Sequence, residues 1–261
     1  MPRANRYHLP GHVWHLTHRC HQREFLLKFA RDRDRYRYWL FQARKRFGLC
    51  VLDFVITSNH VHLLVKDTAP DVIAQSLQLV AGRTAQEYNQ RKGRRGAYWE
   101  DRYHATAVQA DGHLARCVAY IDLNMVRAGV VSHPAQWTHG GYAEIQTPPV
   151  RYGVIDLGAL CELFGFAGLA ELQAAHRGWI EESLRSEGRA QTPDWARAIA
   201  VGSPDFVAKV KSDLGIAARH RDIDLSGTTG VLREPEAAYD YEIAGENGQP
   251  SEGNSYLWNE A

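Results

Sequence analysis

The chain has 261 residues, 44% of them hydrophobic, enough to bury a core in one domain plus an appendage. No apolar run approaches the ~18 residues that suggest a membrane span, and the opening MPRANRYHLPGH lacks the apolar stretch of a secretory signal. Cys20, Cys50, Cys117 and Cys161 form no C-x-x-C pair, which argues against a zinc knuckle or a disulfide framework and fits a reducing cytoplasm.

The net charge of +1 hides an asymmetry. Residues 1–135 carry 21 Lys and Arg against 11 Asp and Glu, whereas residues 231–261 set Arg233 against seven carboxylates. A basic front half points to a polyanionic partner, nucleic acid first.

In chain order, GHVWHLTHRCH (11–21) reads as a strand. RDRDRYRYWLFQARKRF (31–47) spaces Tyr36, Leu40, Ala43 and Phe47 as one helix face. LCVLDFVIT (49–57) and HVHLLVK (60–66) are strands separated only by Ser58-Asn59, the length of a tight hairpin. Asp71 is placed to cap a helix carrying Ile73, Leu77, Val80, Thr84 and Tyr88. The basic loop RKGRRG (91–96) leads into a strand-like AYWEDRYHATAVQA, and a third helix opens on Asp111 and closes at Gly129. The first six elements, β-α-β-β-α-β, match a ferredoxin-like, RRM-like antiparallel sheet of the α+β class, with the third helix added. Residues 149–230, including PDWARAIAVG, read as a helical extension, and the acidic 231–261 segment as disordered.

Alternation on a strand puts Val61, Leu63 and Val65 on one face and His60 and His62 on the other. Two neutral imidazoles at i and i+2 can chelate one divalent cation, but an isolated His-x-His is commonly structural. The third helix clusters Leu114, Val118, Ile121 and Met125 on one side and Arg116, Tyr120, Asn124 and Arg127 on the other. Tyr120 and Asn124 are i, i+4 neighbours, so a phenol and a carboxamide share the polar face.

SNHVHLLV (58–65) followed by YIDLNMVRAGVV (120–131) resembles the single-tyrosine HUH transposases, most closely the REP-associated tyrosine transposases. WHLTHR (14–19), GAYWEDRYHAT (96–106) and, more loosely, AVGSPDFVAKVKSDLG (200–215) match the same pattern, and the likeness covers about residues 8–145. Met125 departs from the family's proline, Thr57-Ser58 from a Met-Pro, and the acidic tail has no counterpart. The resemblance implies that His60, His62 and Asn124 hold Mg²⁺ or Mn²⁺ and that Tyr120 is the nucleophile. It further implies a 5′-phosphotyrosine link to single-stranded hairpin DNA, made by a cytoplasmic protein that acts as a monomer. Arg19, Arg91, Lys92, Arg94, Arg95, Trp99, Arg102, Arg116 and Arg127 are the candidate DNA contacts, and His15 is expected to flank the site. Two other readings compete. A relaxase-type or replication-initiator nuclease would carry a third histidine ligand or a second tyrosine, and an RRM-like binding module would need no histidine–tyrosine set.

Overall fold

The computed structural model describes residues 11–186, 195, 198–225 and 229–233. The predicted first half is present in order: β1 (Val13–Arg19), α1 (Ala30–Phe47), β2 (Cys50–Ile56), β3 (His60–Lys66), α2 (Val72–Lys92), β4 (His104–Val108) and α3 (Gly112–Asp122). Then follow α4 (Asn124–Arg127), α5 (Gly141–Gln146), α6 (Leu157–Phe164), α7 (Leu169–Arg185), β5 (Ala198–Gly202), α8 (Pro204–Leu214), β6 (Asp222–Asp224) and β7 (Gly230–Arg233). Among the described residues no single helix is long and apolar enough to cross a membrane.

The sheet runs β2-β3-β1-β4-β5-β7-β6. Its first four strands are antiparallel neighbours in the ferredoxin-like order, as the sequence predicts. The Ser58-Asn59 turn closes with the Thr57 amide donating to the His60 carbonyl at 3.0 Å, so Ile56 lies opposite Val61. That register buries Val61, Leu63 and Val65 on the face covered by α1 and α2, each contributing about 1.5–3 kcal/mol on leaving water.

The second half corrects two expectations. The stretch read as a helix at 198–202 is a strand, paired in parallel with β4 and buried at every position. A strand covered on both faces loses its alternation and reads as a plain apolar run, which periodicity cannot tell from a short helix. The extension is therefore helical only in part, and it widens the sheet. Val231–Arg233, read as the start of the disordered tail, belong to β7 and pair with β5 and β6; residues 234–261 lie outside the described residues. Asp71 also differs. Its φ of 65° puts it in the left-handed region, and its side chain makes no cap hydrogen bond. Asp111 does cap α3, accepting from the His113 amide at 2.8 Å.

Candidate active site

The histidine face of the sheet is built by register. Thr17 on β1 lies opposite His62, and Arg19 opposite His60; His15 and Thr106 are partners across β1 and β4. In the structure α3 crosses β2, β3 and β4 there, and α7 packs behind α3. Leu114, Val118, Ile121 and Met125 are buried, as the helical wheel predicts, while Tyr120 is half-buried and meets the histidines.

The rings form one cluster. Tyr120 stands edge-on to His62 at 5.8 Å between centroids and to His15 at 5.9 Å. His60 is perpendicular to His62 at 4.9 Å, and the Arg127 guanidinium lies 4.3 Å from the Tyr120 ring centre. Arg127 also donates to the Tyr120 carbonyl, across the break at Leu123 that separates α3 from α4. Asn124 is the first residue of α4, half-buried. Among the described residues no hydrogen bond joins its carboxamide to either imidazole.

Burial holds all three histidines neutral near pH 7. It lowers His15 to about 4 and, with help from Arg19, His60 to about 4; it holds His62 well below the usual imidazole range, with His60 and His15 adding to the effect. The hydrogen bonds are arranged as a metal pair requires. His60 Nδ1 faces the Asn59 carboxamide oxygen at 2.7 Å and the Thr57 hydroxyl at 3.0 Å. That hydroxyl donates to the His60 carbonyl at 2.8 Å, so the His60 Nδ1–H donates and Nε2 is left bare. Thr57, a departure from the family pattern, thus orients a histidine. His62 Nδ1 is engaged by His15 Nε2 at 2.9 Å and by the Thr17 hydroxyl at 3.3 Å. Two imidazoles with their Nδ1 atoms occupied fit a divalent cation. Among the described residues there is no cluster of three or more His, Cys, Asp and Glu that could hold one.

The cationic candidates separate. Arg19 and Arg127 belong to the cluster. Arg116, one turn before Tyr120, donates to the Thr229 hydroxyl at 3.3 Å. Arg91 pairs with Asp32, and Arg94 with Glu24 at 3.4 Å, so both enter any interface already partnered. Arg95 and Arg102 are exposed, and Lys92 lies 5.5 Å from the Phe29 ring. Trp99 stacks on His18 at 4.0 Å on the opposite face of the sheet and donates to the Ala81 carbonyl at 3.0 Å, so its half-buried ring takes part in packing there. A cavity of about 410 Å³ lined by Arg31, Asp32, Arg35, Glu87 and Arg91 also lies on that helix side, away from the histidines.

Three participants escaped the sequence. Thr17 and Thr57 are short hydroxyls with no motif signal. Trp195 is buried at 1% exposure, tilts against Tyr120 at 6.3 Å, and gives its carbonyl to His15 Nδ1 at 3.0 Å and to the Thr106 hydroxyl at 2.9 Å. Nothing local marks a residue 180 positions from its partner.

A ferredoxin-like sheet with two neutral histidines on one strand and a tyrosine on a helix across them defines a tyrosine-bearing α+β site. Residues 9–124, a segment that ends at Asn124 and holds His60, His62 and Tyr120, match the family described as "Transposase IS200 like". Among solved structures the chain is similar to a REP-associated tyrosine transposase bound to a REP hairpin: 17% identity, 61% of this chain and 96% of that one covered, TM-score 0.47. It is also similar to a candidate transposase of Deinococcus radiodurans: 19% identity, 46% and 96% covered, TM-score 0.33. No curated protein matches the sequence.

Proposed function

We propose that this protein is a transposase that cuts and rejoins single-stranded DNA through a covalent bond to Tyr120, in the manner of the REP-associated tyrosine transposases. One observation carries the reading: the Tyr120 ring stands 5.8 Å from His62, with His60 beside it, inside the segment that matches the family. The Tyr120 hydroxyl oxygen attacks the scissile phosphorus, and the bond from phosphorus to the 3′ oxygen breaks. The phenol proton leaves, the departing oxygen takes up a proton as a 3′-hydroxyl, and the 5′-phosphate stays on the tyrosine. A second 3′-hydroxyl reverses the step and joins strands without ATP. His60 and His62, through their bare Nε2 atoms, and Asn124 would hold Mg²⁺ or Mn²⁺. Bound there, the cation would polarise the phosphate and stabilise the charge that develops on it. Arg127 and Arg19 place positive charge beside the reacting phosphate.

His15 is not a third ligand, because both its ring nitrogens are taken, by Trp195 and by His62. This favours the transposase reading over a three-histidine relaxase. The substrate in this reading is hairpin-forming single-stranded DNA. Phe25 and Phe29, 64% and 56% exposed with Lys28 and Lys92 beside Phe29, supply further stacking surface. The functional unit spans residues 1–148, supported by the extension through Arg233 and followed by an acidic tail, and acts as a cytoplasmic monomer.

The test incubates the full chain with Mn²⁺ or Mg²⁺ and a labelled single-stranded hairpin. Wild type should cut; Tyr120→Phe should bind equally and cut nothing, and chelator or His62→Ala should also abolish cutting. Cleavage by Tyr120→Phe at the wild-type rate would mean that water is the nucleophile. Binding with no cleavage by any protein would leave an RRM-like binding module.

A further inference from the structure

We propose that His15 is a positioning residue that fixes the tautomer of His62, through a hydrogen-bonded chain beginning at the Trp195 carbonyl. The inference rests on the reading of His62 as a metal ligand.

Donors and acceptors leave one assignment. A carbonyl only accepts, so the 3.0 Å contact between His15 Nδ1 and the Trp195 oxygen puts a hydrogen on Nδ1. His15 is fully buried, which disfavours a charged ring, so its Nε2 carries a lone pair. Nε2 stands 2.9 Å from His62 Nδ1, and one hydrogen must lie between them; it therefore belongs to His62 Nδ1. His62, itself buried, is left with a bare Nε2, the atom a cation needs. The two rings lie within 10° of parallel, with centroids 5.0 Å apart.

The start of the chain is anchored. The Trp195 carbonyl also accepts from the Thr106 hydroxyl on β4 at 2.9 Å, so strand and indole segment hold it jointly. Without His15 the Thr17 hydroxyl, at 3.3 Å, is the remaining described partner of His62 Nδ1. A hydroxyl can donate as well as accept, so it does not dictate which nitrogen bears the hydrogen. His60 receives the same service locally from Asn59 and Thr57. His62, in mid-strand, receives it from a residue 47 positions away.

The experiment uses the full chain with ¹⁵N-labelled imidazoles, first metal-free, then titrated with Mn²⁺ and followed by calorimetry. Ring nitrogen shifts separate protonated from bare atoms. In wild type, His15 and His62 should both be protonated at Nδ1. His15→Leu should move His62 toward the Nε2–H form and weaken Mn²⁺ binding about 10–100-fold, while the His60 spectrum stays unchanged. His15→Gln, which keeps an acceptor oxygen near the lost Nε2, should restore most of both. A wild-type His62 protonated at Nε2 would overturn the proposal, as would His15→Leu with unchanged tautomer and affinity. If His15→Leu does not fold, the wild-type and His15→Gln spectra decide the matter. Wild type that binds no Mn²⁺ would sink the metal reading, while the metal-free spectra would still judge the relay.

Discussion

Replacing His176 with Leu should loosen the helix that carries Tyr120. Asp122, between Tyr120 and Asn124, faces away from the cluster and meets His176 of α7 at 2.6 Å, with side chains 0% and 1% exposed. Gln146 Nε2 donates to His176 Nδ1 at 2.9 Å, so the ring proton sits on Nε2 and points at the carboxylate. That bond is made by Asp122 Oδ2, and Oδ1 has no hydrogen-bond partner among the described residues. A hydrogen bond to a charged group contributes about 1.5–3 kcal/mol. Removing it also strands the buried carboxylate, which brings the expected loss to about 3–5 kcal/mol. Against a total stability of about 5–15 kcal/mol this is large, and it corresponds to roughly 10 °C in Tm for a chain of this size. Urea unfolding should show a lower midpoint at an unchanged slope. The double variant Asp122→Leu/His176→Leu should recover most of the loss, because no charge is then left unsatisfied. A single-variant cost below about 1 kcal/mol, or a double variant as poor as the two losses added, would refute the reasoning.

Three further outcomes follow from buried groups. Burial, reinforced by Asp122, holds Asp53 well above the usual carboxylate range, so folded Asp53 stays neutral where the unfolded chain ionises. Stability therefore falls as pH rises above the ordinary Asp value, and Asp53→Asn should flatten that fall between pH 5 and 8; an unchanged slope in urea midpoints would contradict it. His15 works in the opposite direction, since the unfolded chain takes up a proton near pH 6.5 and the folded chain only near 4. His15 alone should cost the metal-free protein about 3 kcal/mol as pH falls through that window, on top of the losses from His60 and His62, and His15→Gln should lose correspondingly less. Gly141→Ala would place a Cβ 1.9 Å from Asp53 Oδ1 and 3.0 Å from Ile155 Cδ1, where α5 meets β2. It should cost about 1–3 kcal/mol in thermal melts, and an unchanged Tm would show that the contact yields freely.

The parts of this molecule legible in the sequence are those where one periodicity decides. Strand alternation placed His60 and His62 opposite Val61, Leu63 and Val65, and the helical wheel turned Met125 inward and Tyr120 toward the polar side. What was not legible depends on long-range partners. β5 looked helical because a strand buried on both faces has no period of two. Asp122 and His176 are 54 positions apart, and each alone reads as a solvated polar residue. Trp99 looked like a base platform because its composition and place beside basic residues fit one, and only its pairing with His18 shows that the ring also takes part in packing. The arginines of the 91–96 loop read as free positive charge until Asp32 and Glu24 were found against two of them.

The central claim is that the Tyr120 oxygen forms the covalent bond to DNA, and peptide mapping of a trapped reaction tests it directly. Wild type is incubated with Mn²⁺ and a single-stranded hairpin, denatured, digested with protease and nuclease, and analysed by mass spectrometry. The account predicts a nucleotide attached through its 5′-phosphate to the peptide containing Tyr120, absent in Tyr120→Phe and absent with chelator. Efficient cleavage with an unmodified Tyr120 peptide, or with the nucleotide on another residue, would contradict it.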